Sequence, residues 1–162
     1  TAFAYEFFRP RAANVDWFSV FWKPYILPKH RFTSWLLAHG RLRTADTIPY
    51  EPNKLCALCH QQDESNTHLF FDCEIVKPLL DKVKTWMDIT FDITDMASYL
   101  DTFRQHYKGK GRQMKARHLA LSSMIYLIWN ARNMSRFENV VPCFEKIFHK
   151  VQVHVWRFVD CK

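Results

Sequence analysis

The stretch CALCHQQDESNTHLFFDC, residues 56–73, gathers three of the chain's five cysteines and two of its eight histidines. Their order is Cys56-x2-Cys59-x8-His68-x4-Cys73. Two cysteines three positions apart can chelate one ion from a tight turn, because the intervening amides fold around the sulfurs. His68 and Cys73 then close the other half of a tetrahedron. Three soft thiolates and one imidazole match zinc better than a hard, oxygen-seeking cation. A catalytic zinc normally keeps one position open to water. Here protein fills all four, so the expected cofactor is one structural Zn2+ on Cys56, Cys59, His68 and Cys73. His60 follows Cys59 directly and is expected to point away from the ion its neighbour holds. A thioredoxin-like redox pair is disfavoured, since no strand pattern precedes Cys56 and no helix clearly follows Cys59.

The elements that must position these ligands read as helices. KHRFTSWLLAHGRL follows Pro28 and repeats Phe32, Trp35, Leu36 and His39 or Gly40 at three- and four-residue spacing. PLLDKVKTWMDI lines Leu79, Val83 and Trp86 on one face, with Pro78 in its first turn. A short helix around ASYLDTFRQHY ends at KGKGR, the glycine-rich break in the chain. A long helix is predicted over 113–136, with Met114, Leu121, Ile125 and Ile128 on one side. In CFEKIFHKVQVHVWRF, Phe144, Ile147, Phe148, Val151, Val155 and Phe158 form a helical stripe beginning near Pro142. Alternation of period two is nearly absent. The predicted fold is mostly α, a helical domain over 1–137 with an embedded CCHC zinc knuckle at 56–73. Residues 138–162 add a C-terminal helix packed on it. Phe70 and Phe71 are expected to anchor the knuckle to the core, with stacking on bases as the alternative.

A chain of 162 residues, 48% of them hydrophobic and only 3 glycine, can bury a core of its own. The metal is therefore expected to supplement that core rather than replace it. Five cysteines, unevenly spaced, do not make a secreted disulfide framework. They point to a reducing, intracellular compartment, with Cys143 and Cys161 as ordinary thiols. No apolar run reaches the ~18 residues a membrane helix needs. The opening TAFAYEFFRPRAANVDW lacks the apolar core of a signal peptide, and a start at Thr1 without methionine reads as a piece of a longer or processed chain.

The net charge of +7 and pI near 9.3 favour a polyanionic partner. Between Thr102 and Phe137 there is no acid, while Arg104, Lys108, Lys110, Arg112, Lys115, Arg117, Arg132 and Arg136 crowd the same window. The first six, around KGKGR, are the candidate nucleic-acid contacts, with His106 and Tyr107 as stacking surfaces. A second basic group, Arg9, Arg11, Lys29, Arg31, Arg41 and Arg43, can extend that surface. The chemistry of catalysis is missing. The acids are scattered rather than clustered for two metals, and no Tyr-x-Asp-Asp, Gly-x4-Gly-Lys-Ser/Thr or Gly-x-Ser-x-Gly motif occurs. The expected protein is not an enzyme and takes no small-molecule substrate.

Several of these motifs together resemble a known family. Asp16-Trp17, Trp22-Lys23, PKHRFTSW (28–35), GRLRT (40–44), CALC (56–59) and HLFFDC (68–73) occur in the order found in the zinc-binding domain downstream of reverse transcriptase in plant LINE-like (non-LTR) retroelements. IWNARNMSRF (128–137) looks like the segment that often follows that domain. The resemblance spans roughly residues 5–137. Leu80 departs from it, standing where an aromatic is common after the last cysteine. The resemblance implies the same four zinc ligands and a non-catalytic module whose enzymatic neighbours lie outside this chain. The partner it implies is nucleic acid, RNA ahead of DNA, with the nucleus favoured as the location and an organelle as the alternative. A domesticated derivative would instead serve as a protein-interaction scaffold within a ribonucleoprotein.

Overall fold

In the computed structural model, residues 18–106 and 111–160 are described, the side chains of Phe18, Val159 and Asp160 excepted. The helices are α1 (Phe18–Phe21), α2 (Pro28–Ala38), α3 (Lys77–Trp86), α4 (Met96–Asp101), α5 (Arg112–Glu138) and α6 (Phe144–Asp160). A π-helical turn, His68–Asp72, precedes α3, and another, Thr102–His106, continues α4. Among the described residues no strand forms, and one isolated antiparallel bridge joins Leu55 to Asp63. The fold is mostly α, as the periodicity predicts.

The long helix α5 is the spine, with α2, α3 and α6 packed around it. Every residue from Ala116 to Ile125 is buried, so its apolar surface runs round the helix instead of forming one stripe. Such a helix is stable only when enclosed. By contrast, α6 is amphipathic. It buries Ile147, Val151 and Val155, and Phe144, Phe148 and Phe158 lean on the core. The predicted stripe of this helix is the face that meets α5.

Helix ends follow backbone chemistry. Beyond α2 the chain turns at Gly40, φ +60°, where the Gly40 and Arg41 amides donate to Leu37 and Leu36 carbonyls. A residue without Cβ adopts that left-handed conformation at no steric cost. Asn139, φ 53°, makes the same stop after α5, its amide reaching back to the Met134 carbonyl.

The helix predicted around 29–42 forms, with its apolar repeat only partly buried. α2 buries His30, Thr33, Ser34 and Leu37, while Phe32, on the apolar repeat, is 53% exposed. The repeat marks a helix correctly, but its face is split: Leu36 packs on the core, Trp35 is half-buried, and Phe32 and His39 face solvent. His30 is buried instead against Tyr126 of α5 and His154 of α6, with ring centroids 4.7 and 4.9 Å away.

Candidate metal centre

The first two ligands lie in a narrow loop closed by the Leu55–Asp63 bridge and by the Cys56 amide donating to the Gln62 carbonyl at 2.8 Å. The His60 amide donates to the Cys56 carbonyl at 2.9 Å, which wraps the chain around the Cys56 sulfur. The Leu58 amide points at that sulfur, 3.5 Å away. To finish the turn, His60 takes φ 56°, a left-handed conformation that a bulky residue seldom adopts. Its side chain lies exposed, outside the ligand group.

The other two ligands come from the π turn. The Cys73 amide donates to the His68 carbonyl at 2.7 Å, five residues back, which brings the two side chains to one side of the turn. Phe70 and Phe71 are buried in the core and so fasten the turn to the helices. Cys73 also leads into α3. The Ile75 and Val76 amides donate towards its sulfur, as backbone N–H groups at a helix start favour a negative ligand. Leu80, in the position where the family commonly has an aromatic, is buried in the core.

These two halves meet. The ligand atoms of Cys56, Cys59, His68 and Cys73 all lie within 4.8 Å of one another, and Cys59 Sγ is 3.3 Å from His68 Nε2. Bond lengths of about 2.3 Å to sulfur and 2.0–2.1 Å to nitrogen place tetrahedral neighbours roughly 3.5–3.8 Å apart. The group is therefore the right size for one zinc ion. Its electrostatics agree. The Cys56 thiol is pushed up, first by its hydrogen bond with Cys73 and then by burial, while Cys73 is pulled down by that same bond and by the amides. Crowded buried sulfurs compete for protons, and a divalent cation would hold all of them as thiolates. Zinc would supply fixed tetrahedral geometry here and no open coordination position.

A second buried group fastens the first loop to the spine. Glu64 is fully buried, between the two ligand pairs. Its carboxylate accepts from the Ala45 amide at 2.8 Å, the Ala57 amide at 3.2 Å and Arg132 Nε at 3.0 Å, with Arg132 Nη2 also donating. Burial alone would raise the Glu64 carboxyl, but the Arg132 guanidinium and the two amides outweigh it and hold it below the usual range. One helical turn along α5, Ser135 Oγ donates to the Ala57 carbonyl at 2.8 Å. Arg136 donates to the Asn53 and Leu55 carbonyls at 3.2 and 2.8 Å and pairs with Glu51 at 3.4 Å. Residues 132, 135 and 136 share a helix face by their three- and four-residue spacing. That face grips the Cys56–Cys59 loop.

Residues 1–79 match the family model described as zinc-binding in reverse transcriptase. That stretch is similar to the zinc-binding domain of reverse transcriptases. The match contains all four ligands, and it ends in α3, short of the 5–137 span of the resemblance. No curated protein and no solved structure matches the chain. The zinc-binding domain nevertheless leans on a helix beyond its own end, because the Glu64 carboxylate is paired by arginines of α5.

Among the described residues, the predicted basic contacts Arg104, Arg112, Lys115 and Arg117 have different surroundings. Lys108 and Lys110, with Tyr107, lie outside the described residues, as do Arg9, Arg11, Asp16, Trp17 and Cys161. Arg112 is exposed in the first turn of α5, and half-buried Lys115 sits 5.7 Å over the Tyr25 ring. Arg104 is 4.0 Å from Asp101, and His106 stacks on Phe91 at 3.9 Å. Arg117 is buried and donates to the Met87 and Asp88 carbonyls at 2.9 and 2.8 Å, satisfying the end of α3. Contact with a phosphate would require it to give up those bonds. Arg132 and Arg136, counted in the acid-free window, serve the zinc loop instead. Their role was hidden because their acid, Glu64, is 68 positions from Arg132 in sequence and sits in the polar run QQDESN, which reads as a solvated loop.

Proposed function

We propose that this chain is a non-catalytic nucleic-acid-binding module, stapled by one structural zinc and working beside a polymerase carried outside it. The observation that carries the reading is the closed, buried Cys3His group inside a domain of the kind found in reverse transcriptases. With four protein ligands, zinc has no position left for a substrate or a water nucleophile. The acid nearest the centre of the ligand run, Glu64, is consumed by Arg132. The remaining asset is charge, +7 over 162 residues, which suits a phosphate backbone. RNA is the expected polymer, as the template of such an enzyme, and a reducing intracellular compartment, the nucleus first, suits free thiolates.

A scaffold role in a ribonucleoprotein is the second reading. It is favoured by a groove of about 360 Å³ between α5 and α6, lined by Leu127, Met134, Val140, Val141 and Ile147. Salt separates the two. Zinc-loaded protein is titrated with structured RNA, single-stranded RNA and duplex DNA from low to high ionic strength, beside a Lys108, Lys110, Arg112, Lys115→Ala variant. Affinity that falls linearly with the logarithm of salt supports the nucleic-acid module. No binding at low salt refutes it.

A further inference from the structure

The solvent face of α2 is built unlike an ordinary surface. Phe32 is 53% exposed, and its ring stacks on Trp35 with centroids 5.9 Å apart and planes 19° from parallel. The half-buried Trp35 in turn meets the His39 ring edge-on at 4.5 Å. In the first turn of the helix, Arg31 lies 5.6 Å over Trp22, itself 38% exposed. The helix buries His30, Thr33, Ser34 and Leu37 and turns the Phe32 ring outwards. With Phe32 53% exposed, about half of the roughly 1.5–3 kcal/mol that full burial would bring is forgone, and an aromatic row left open in this way suits an interaction surface.

The charge around the patch says what it meets. Residues 17–45 contain no acid and five bases, Lys23, Lys29, Arg31, Arg41 and Arg43. Arg41 and Arg43 are exposed and follow the Gly40 turn, next to the His39 end of the aromatic row. Lys29 lies over the Tyr126 ring and Arg31 donates to the Lys23 carbonyl, which leaves the exposed Arg41 and Arg43 as the cations offered to an anionic partner. A strand of unpaired bases needs both parts: flat rings for the bases and donors for the phosphates beside them.

Resting on the nucleic-acid reading above, we propose that the outer face of α2 is the binding surface and that its ligand is single-stranded nucleic acid. Bases stack on the Phe32–Trp35 pair and Arg41 and Arg43 take the backbone. The acid-free window at 102–137 is then secondary, since Arg117, Arg132 and Arg136 of that window are held inside the molecule.

The test uses the full, zinc-loaded chain and fluorescence anisotropy with labelled single strands, about twelve nucleotides long to fit the site sizes of such platforms, and the matching duplex. Phe32→Ala is expected to weaken single-strand binding about tenfold, the loss of one stacked base. Arg41→Ala/Arg43→Ala is expected to lower the salt slope by about 1.4, roughly 0.7 for each phosphate contact on a single strand. Lys146→Ala/Lys150→Ala removes the same charge from exposed sites on α6 and is expected to leave the slope unchanged. Zinc content and melting temperature accompany each variant, and Phe32, being exposed, can be truncated without loss of the fold. Wild-type binding that Phe32→Ala and the arginine pair leave intact would overturn the surface and spare the function. So would a duplex bound as tightly as the single strand. If wild type binds no nucleic acid at low salt, the functional reading itself falls.

Discussion

Replacing Arg132 by Met keeps much of the length of the side chain and removes its charge. Glu64, fully buried, would then face the Ala45 and Ala57 amides and Arg136, whose Nη2 is 3.5 Å away. Breaking a buried ion pair by removing one partner costs about 3–5 kcal/mol, because the remaining charge is left in a low-dielectric site. Two amides, one further cation and the option of protonation keep this case near the lower end, about 3 kcal/mol. In a domain of this size each kcal/mol moves Tm by about 2–4 °C, so a drop of roughly 6–12 °C is expected. The loss extends to the metal, since Glu64 and Arg132 hold the loop that carries Cys56 and Cys59. Partners that position ligands typically account for about 10–100-fold in metal affinity. Guanidinium unfolding of the zinc form and competition against a chromophoric chelator read the two effects. Glu64→Gln combined with Arg132→Met removes both charges, and the double variant is expected to be more stable than Arg132→Met alone. A single variant within about 1 kcal/mol of wild type, with unchanged zinc affinity, would refute the view that α5 supports the centre.

Chelation is expected to speed amide exchange across 55–76 while the amides of α5 stay protected, because the core exists without the metal; hydrogen exchange with and without chelator checks this. His60→Gly is expected to leave zinc affinity unchanged and stability equal or slightly raised, since it relieves a left-handed φ of 56°. Cys59→Ser should sharply weaken zinc in the same titration. Acid should destabilise the fold through two buried imidazoles. Burial, with His154 and Lys29 nearby, lowers His30 to about 3, and burial, with Lys23 nearby, lowers His118 to about 4. The unfolded chain therefore takes up protons first as pH falls below about 6.5. Stability is full above that value and is lost toward 4 and 3, by up to about 1.4 kcal/mol per pH unit for each ring. His30→Leu is expected to flatten the pH dependence of unfolding between about pH 6.5 and 4, and an unchanged slope would contradict it.

The ligands and the helices were legible in the residues alone. Cys56, Cys59, His68 and Cys73 stand close enough for local turns to bring them together, so their spacing carried the chemistry. The stripes of α3 and α6 likewise announced which side each helix buries, because one face meets one neighbour. Where several elements meet, that logic stopped. α5 is enclosed along its middle turns, so its pattern held no single face to read. On α2 the three- and four-residue repeat marked the helix but not its deepest contacts, since His30 found aromatic partners on α5 and α6 that no local pattern encodes. Which arginines reach solvent was settled by tertiary packing. Arg117, Arg132 and Arg136 looked like part of a basic surface until the fold set them against helix-end and loop carbonyls and a buried carboxylate. A charge in sequence has a sign but no dielectric, and burial alone decides whether it stays within the molecule or is left to meet a partner.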